Sequence, residues 1–289
     1  MVAIKRFRSV WGVESGETFE KWAAWFPELK EQGYAGVEIE LTGRSAESLR
    51  QLRDIGDDAG IEMTVLMHTA WPAHIGARPK GLTPAIHLEV YRENLELACM
   101  LRPVRINVQS GADYWTLDES VDFYQKTLEI DKQLGLTDIV SHETHRNRSL
   151  FTPYTTKYIL ERVPNLRITA DVSHWVVCCE RRLDLAQEDK EILDLLVPRV
   201  FHMHCRVGTT QSSQCPDPED PIFKDEREFF DRLWLRIVKA RAKDSDMITF
   251  VPEYGPFPYH PHGSVKTFAQ IANSEGVRLQ NLFEESLKQ

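Results

Sequence analysis

Apolar residues along this chain follow two rhythms that take turns. Short apolar runs, several ending in polar residues, alternate with longer stretches in which apolar positions fall three and four apart. The first rhythm predicts buried strands and the second amphipathic helices. Strands are predicted at Ile4 to Trp11, Val37 to Leu41, Ile61 to His68 and Val104 to Gln109, then at Asp138 to Glu143, Leu166 to Asp171, Val200 to Arg206 and Ile248 to Glu253. Between them, helices are predicted at Glu17 to Gln32, Ala46 to Ala59, Pro84 to Leu101, Leu117 to Leu134, Thr152 to Glu161, Asp189 to Leu196 and Phe223 to Lys243, with a final helical segment running to about Gln289. The first helix shows the pattern clearly: Phe19, Trp22, Ala23, Phe26 and Leu29 share one stripe. Gly60 stands where a helix C-terminal cap is expected.

Strict alternation of strands and helices favours a parallel sheet. Eight strand–helix units in 289 residues match the count and size of a closed (β/α)8 barrel, a TIM barrel. No linker or low-complexity tract divides the chain, so residues 1–289 are expected to form one such domain. A doubly wound open sheet is the competing fold. The glycine-rich dinucleotide fingerprint that would favour it is missing after the first strand. Two long loops, 69–84 and 207–222, interrupt the regular spacing and are expected to shape an active site.

Composition narrows the function classes. A net charge of -9 argues against a surface built to coat nucleic acid. No apolar run approaches the ~20 residues of a membrane span, so no membrane partner is expected. The N-terminal Met-Val-Ala-Ile-Lys-Arg-Phe-Arg has no apolar core of a secretory leader. Cys99, Cys178, Cys179, Cys205 and Cys215 are odd in number and irregularly spaced. They match neither a disulfide framework nor a four-cysteine zinc site, and a reducing cytoplasm is the expected location.

In a barrel, chemistry gathers at the C-terminal ends of the strands. Four successive predicted strands end on residues of metal-ligand type: Glu143, Asp171, His204 and Glu253. Side chains alternate along a strand, so His202, His204 and Arg206 share a face. Glu143 shares its face with Ser141, and with His145 if the strand runs on, and Asp171 shares its face with Thr169 and Ser173. Three carboxylates and one imidazole suit one hard or borderline divalent ion, Mn2+ first, then Mg2+, Co2+ or Fe2+, with Zn2+ last because a closed zinc site favours thiolate and more imidazole. Any one of these residues alone reads as well as a helix cap or a core histidine. Four strand ends in series favour a site.

The segments Glu143-Thr-His145-Arg146, Asp171-Val-Ser-His174-Trp175, His202-Met-His204-Cys-Arg206-Val-Gly208 and Pro252-Glu253-Tyr254 resemble the xylose isomerase-like barrels. That superfamily comprises sugar isomerases, ketose 3-epimerases, hydroxypyruvate isomerases, inosose dehydratases and AP endonucleases. The resemblance implies that Glu143, Asp171, His204 and Glu253 hold one divalent metal. It implies that His174, in the D-x-x-H arrangement, contacts substrate or metal. His204 is chosen over His202 because it lies nearer the strand end. The acidic pattern that epimerases carry after the seventh strand is replaced here by Cys205-Arg206-Val207-Gly208.

The implied activity is isomerisation or epimerisation of a small polyhydroxy carbonyl compound through an enediolate, with Glu143 and Glu253 as base and acid. Arg206 is a candidate for a substrate anion, or else an internal salt bridge. His145 and Arg146 are candidate contacts, His202 supports His204, and Trp11, His68, Trp71 and Trp175 are candidates to line the pocket. Glu40 at the end of the second strand faces either the cavity or solvent. A lyase, dehydratase or hydrolase acting on a keto-sugar or natural-product glycoside would use the same four strand ends. An AP endonuclease would need further strand-end histidines. His68 could serve as one, but Gln109 stands where another is expected. The aromatic segment from Tyr254 to His262 reads as a lid, a subunit contact or a plain loop, which leaves a homo-oligomer open.

Overall fold

The computed structural model of the protein describes residues 2–13, 18–70 and 79–288. The strands are β1 (Ala3–Ser9), β2 (Gly36–Glu40), β3 (Glu62–His68), β4 (Arg105–Gln109), β5 (Val140–Glu143), β6 (Ile168–Ala170), β7 (Val200–His204) and β8 (Met247–Val251). Each pairs in parallel with its neighbour, and β8 pairs with β1, so the sheet closes into an eight-stranded barrel. The helices are α1 (Phe19–Glu31), α2 (Ala46–Ala59), α3 (Pro84–Ala98), α4 (Leu117–Leu134), α5 (Pro153–Arg162), α6 (Ser173–Cys179), α7 (Gln187–Leu196), α8 (Lys224–Arg241) and α9 (Phe268–Ser286). The (β/α)8 barrel expected from the alternating rhythm is the observed fold.

Local chemistry fixes the helix starts. Thr116, Thr152 and Thr267 each accept a hydrogen bond from the backbone three residues on and close a reciprocal capping box at α4, α5 and α9. Gly60 and Gly135 end α2 and α4 in the left-handed conformation that suits glycine. Helix α6 was absent from the predicted elements. It begins at Ser173, so the sixth strand ends at Ala170 and does not carry Ser173 on the Asp171 face as the alternation argument expected. Its seven residues are too few to display an amphipathic period.

The alternation of the strands sorts the side chains into two compartments. Outward residues such as Val37, Ile39, Met63, Val65, Ile106 and Val108 join one buried apolar cluster with α1, α2 and α3. Ile168, Ala170, Met203, Ile248 and Phe250 join a second with the later helices. Inward positions are different. Glu38, Thr64, Asn107, Ser141, Thr169, His202 and Thr249 are all buried and polar. Barrel interiors are more often filled by branched apolar residues, so this one is built for polar contacts. A register shift at β6–β7 helps. Ile168 aligns with Val200 but Thr169 with His202, leaving Phe201 as the extra residue of a bulge. His202 is thereby brought beside inward-facing Thr169 and Thr249.

Candidate active site

The C-terminal ends of β5 to β8 carry the residues singled out from sequence. Glu143 and His204 are the last residues of β5 and β7, Asp171 follows β6 by one residue, and Glu253 follows β8 by two. Glu143, Asp171 and His204 are at most 1% exposed and Glu253 is 6% exposed. Ligand-type atoms of Glu143, Asp171 and His204 lie within 4.8 Å of one another. His204 Nδ1 is 3.4 Å from Glu253 Oε2 and 3.8 Å from Glu143 Oε2.

Asp171 is held at both ends. Its Oδ1 accepts from the backbone N–H (3.1 Å) and hydroxyl (2.5 Å) of Ser173, which starts α6. Its Oδ2 accepts from Arg206 Nη2 at 2.5 Å. The first turn of α6 then brings His174 back beside the aspartate, with Nε2 3.5 Å from Oδ2. The D-x-x-H spacing therefore works as a helical turn, three residues apart on one face. The Arg206 guanidinium also lies 3.2 Å from Glu253 Oε2 and 3.0 Å from His174 Nε2. Of the two sequence readings of Arg206 the structure shows the internal ion pair, and the residue also lines the cavity.

Glu143 is oriented by amides of β4. Asn107 Nδ2 donates to its Oε2 at 2.5 Å, and Gln109 Nε2 lies 3.3 Å from the same oxygen. Gln109 thus occupies, as an amide donor, the strand end where an endonuclease would carry a further ligand. Beneath His204 stands a carboxylate that the sequence analysis passed over. Glu38 Oε2 is 3.1 Å from His204 Nε2 and 3.5 Å from His202 Nε2. Glu40 was considered instead, and it does line the cavity. The signal for Glu38 was available: in Val37-Glu38-Ile39-Glu40-Leu41 the apolar residues face the helices, so both acids must face inward.

Charges in this enclosure compete strongly. Burial pushes the Glu143 carboxyl up to about 8, against the pull of His204. Burial likewise lifts Asp171 to about 6, with Arg206 opposing. For Glu253 the burial effect is outweighed by Arg206 and His204, which hold it well below the usual carboxylate range. Burial would also raise Glu38, yet His204 and His202 bring it down to about 2. His204 itself is raised well above the ordinary histidine value: burial disfavours its charge, but Glu38, Glu253 and Glu143 outweigh burial.

Above these groups opens a cavity of about 420 Å³, within the range of small-molecule sites. Trp11, His68, His145, Arg206 and Glu253 line it, together with Ser9, Leu66, Gln109 and the loop Pro256 to Tyr259. Trp11 and Tyr259 meet edge to face at 5.0 Å, and Arg206 lies over both rings at 5.8 and 5.6 Å. Arg146 donates to the Tyr259 hydroxyl at 2.9 Å, and the His145 ring meets the His174 ring at a tilt, with centroids 3.9 Å apart. Trp175 is the exception among the expected lining residues. It is fully buried in the second apolar cluster, on the helix α6 that sequence reading missed, and its indole N–H donates to Leu150 O at 2.9 Å. Trp71 and residues 71–78 of the first long loop lie outside the described residues, as does Glu17 at the expected start of α1.

A divalent ion fits this donor set. His204 Nδ1 is buried, makes no hydrogen bond and faces Glu253 Oε2 at 3.4 Å, an oxygen whose charge is otherwise met by Arg206 at 3.2 Å. Buried polar atoms are rarely left so without a purpose. Glu143 and Asp171 supply carboxylate oxygens beside them, the hard-donor mixture that such ions prefer. Among the described residues two further groups of the same kind, Glu38 with His202 and His204, and Glu143 with His145 and His174, share ligands with it.

No protein-family model matches the sequence, and no curated protein matches it. Solved structures do. A D-psicose 3-epimerase from Clostridium cellulolyticum H10 is 14% identical, with 98% of this chain and 97% of that one covered and a TM-score of 0.56. A probable 3-DHS dehydratase, AsbF from Bacillus anthracis, is 15% identical over 97% of both chains, at 0.56. A sugar phosphate isomerase/epimerase from Parabacteroides distasonis ATCC 8503 is 13% identical over 97% of this chain and 94% of that one, at 0.59. At 15% identity or less these likenesses show a shared fold: the (β/α)8 barrel of this chain is the one found in those structures.

Proposed function

We propose that this protein is a divalent-metal-dependent isomerase or epimerase of a small polyhydroxy carbonyl compound, working through an enediolate. The observation that carries the reading is the convergence of Glu143, Asp171, His204 and Glu253 from four successive strand ends beneath one cavity. These four would hold one ion, Mn2+ for preference, with His204 ligating through Nδ1. When bound, the ion supplies Lewis acidity to oxygens of the substrate, which makes the neighbouring C–H bond easier to ionise.

The chain's own residues do the rest. Glu143 and Glu253 exchange the proton at the reacting carbon, each through a carboxylate oxygen turned toward it. Asn107 and Gln109 fix the Glu143 carboxylate so that it does not rotate out of reach. Arg206 holds Asp171 and Glu253 in place and offers its outer edge to a substrate oxygen. His145, His174 and His68 contact hydroxyl groups, and the faces of Trp11 and Tyr259 cover apolar C–H surface and exclude water. The five cysteines are free thiols, which supports action in a reducing cytoplasm.

Expulsion of a leaving group from the same enediolate is the second reading. A probable dehydratase matches this fold as well as an epimerase does, at a TM-score of 0.56 in each case. Metal analysis of purified protein tests the shared part. One divalent ion per chain is expected, lost in Asp171→Asn. Binding of two or more ions, or retention of the ion in Asp171→Asn and Glu143→Gln alike, would refute the assignment.

A further inference from the structure

The floor of the site holds a carboxylate with no role in the chemistry above. Glu38 sits on the inner face of β2, across the barrel from β7, and is 1% exposed. Its Oε2 is 3.1 Å from His204 Nε2 and 3.5 Å from His202 Nε2. His202 is itself fixed from its other nitrogen, where Nδ1 meets Thr249 Oγ1 at 2.7 Å. His204 therefore has one nitrogen turned down to Glu38 and the other turned up to Glu253. Asn107 Nδ2 also lies 3.2 Å from His204 Nε2, but it donates to Glu143 at 2.5 Å. The Glu38 carboxylate can only accept, so its contact with Nε2 calls for the ring proton on that nitrogen.

We infer that Glu38 is the positioning residue of this site: it accepts the His204 Nε2–H bond, and so fixes the ring's orientation and leaves the Nδ1 lone pair facing Glu253 and Glu143. The inference rests on the proposed metal site in one respect, that the Nδ1 lone pair is used as a ligand. An imidazole ligand whose far nitrogen donates to a carboxylate is better oriented and more basic, and loss of such a partner typically costs about 10–100-fold in metal affinity. Glu38 forms part of the cavity floor and acts on the proposed ion through His204. His202 shares the same oxygen and limits rotation of the carboxylate.

Two measurements on the full chain test this. Mn2+ affinity is measured by titration for wild type, Glu38→Gln, which keeps an acceptor oxygen, and Glu38→Ala, which does not. The expected result is one ion per chain throughout, with affinity lowered about 10–100-fold in Glu38→Ala and by less in Glu38→Gln. In parallel, nitrogen-15 NMR of the histidine rings reads the His204 tautomer and its hydrogen-bonded Nε2 proton. That signal should be present in wild type and in Glu38→Gln, which also serves if the alanine variant does not fold, and absent in Glu38→Ala. Affinities within twofold of wild type in both variants would overturn the role, as would loss of one of two bound ions, which would make Glu38 a ligand. If wild type binds no Mn2+, the proposed function fails. The NMR result then decides the positioning role alone, because a His204 Nε2 proton unchanged in Glu38→Ala refutes it.

Discussion

Arg206 and Asp171 form the tightest ion pair of the site, with Nη2 2.5 Å from Oδ2 and both side chains at most 2% exposed. The same guanidinium nitrogen reaches Glu253 Oε2 at 3.2 Å, so one cation braces two of the proposed ligands. Removing one member of a buried pair strands the other and costs roughly 3–5 kcal/mol. Arg206→Gln is therefore expected to lower the melting temperature clearly. Added Mn2+ should restore more of it in the variant than it adds to wild type, because a bound ion replaces the missing positive charge. Equal Mn2+ shifts in the two proteins, measured by scanning fluorimetry, would mean that arginine and ion do not share this balance.

Gly255 and Trp11 are in closest contact at the cavity wall. A methyl group at Gly255 would come within 2.1 Å of the Trp11 indole. Gln214 secures this segment by accepting from Gly255 N at 2.9 Å and donating to Gly255 O at 3.1 Å. Gly255→Ala should displace the indole, raise KM at least tenfold, and change tryptophan fluorescence, while kcat falls less. An unchanged KM would remove Trp11 from the substrate wall.

Trp175 separates packing from catalysis. Trp175→Phe removes the indole donor and leaves Leu150 O unpaired in the core, a cost of about 1–3 kcal/mol. Its folded fraction should retain wild-type kcat and KM. A KM change without loss of stability in denaturant titration would return Trp175 to the cavity.

Much of this arrangement was legible in sequence, for physical reasons that differ by element. Strands β5 to β8 were readable because burial on the outer face forces apolar residues at every second position, which leaves Glu143, His202 and His204 facing inward. The same rule held for β2, where attention to the strand's last acid, Glu40, hid Glu38 two residues earlier. Helix α6 was not legible: its N-cap is Val172, with no side-chain cap to signal a start, and its seven residues are too few for a period to show. Trp175 reads as a pocket residue in sequence because an aromatic face suits a sugar's C–H surface, and only the helix turn shows that it points into the core. The dual engagement of Arg206 was open in sequence, because an arginine at a barrel mouth is compatible with an ion pair and with a ligand contact until the distances are known.

Asp131 and Tyr91, far from the cavity, give the fold a predicted pH response. Tyr91 Oη donates to Asp131 Oδ1 at 2.5 Å. Burial pushes the Asp131 carboxyl up to about 7, with the Tyr91 hydrogen bond opposing. The unfolded value is near 4. Between about pH 4 and 7 the folded chain thus keeps a proton that the unfolded chain has released. Its contribution is complete below pH ~4 and lost as pH rises through about 7, amounting to at most about 4 kcal/mol. Asp131→Asn should flatten the fall in melting temperature between about pH 4 and 7. The same slope in variant and wild type would place the pH response elsewhere.

The most direct test of the proposed chemistry is solvent deuterium exchange. Purified protein with Mn2+ is incubated in D2O with a panel of ketoses and keto-acids, and label at the carbon beside the carbonyl is followed by NMR. Wild type should label at least one of them, and chelation should abolish the labelling. Glu143→Gln, with its fold intact, should slow it at least about 100-fold, the usual loss when a general base is removed. Labelling that survives both chelation and Glu143→Gln would contradict metal-assisted proton transfer at these strand ends.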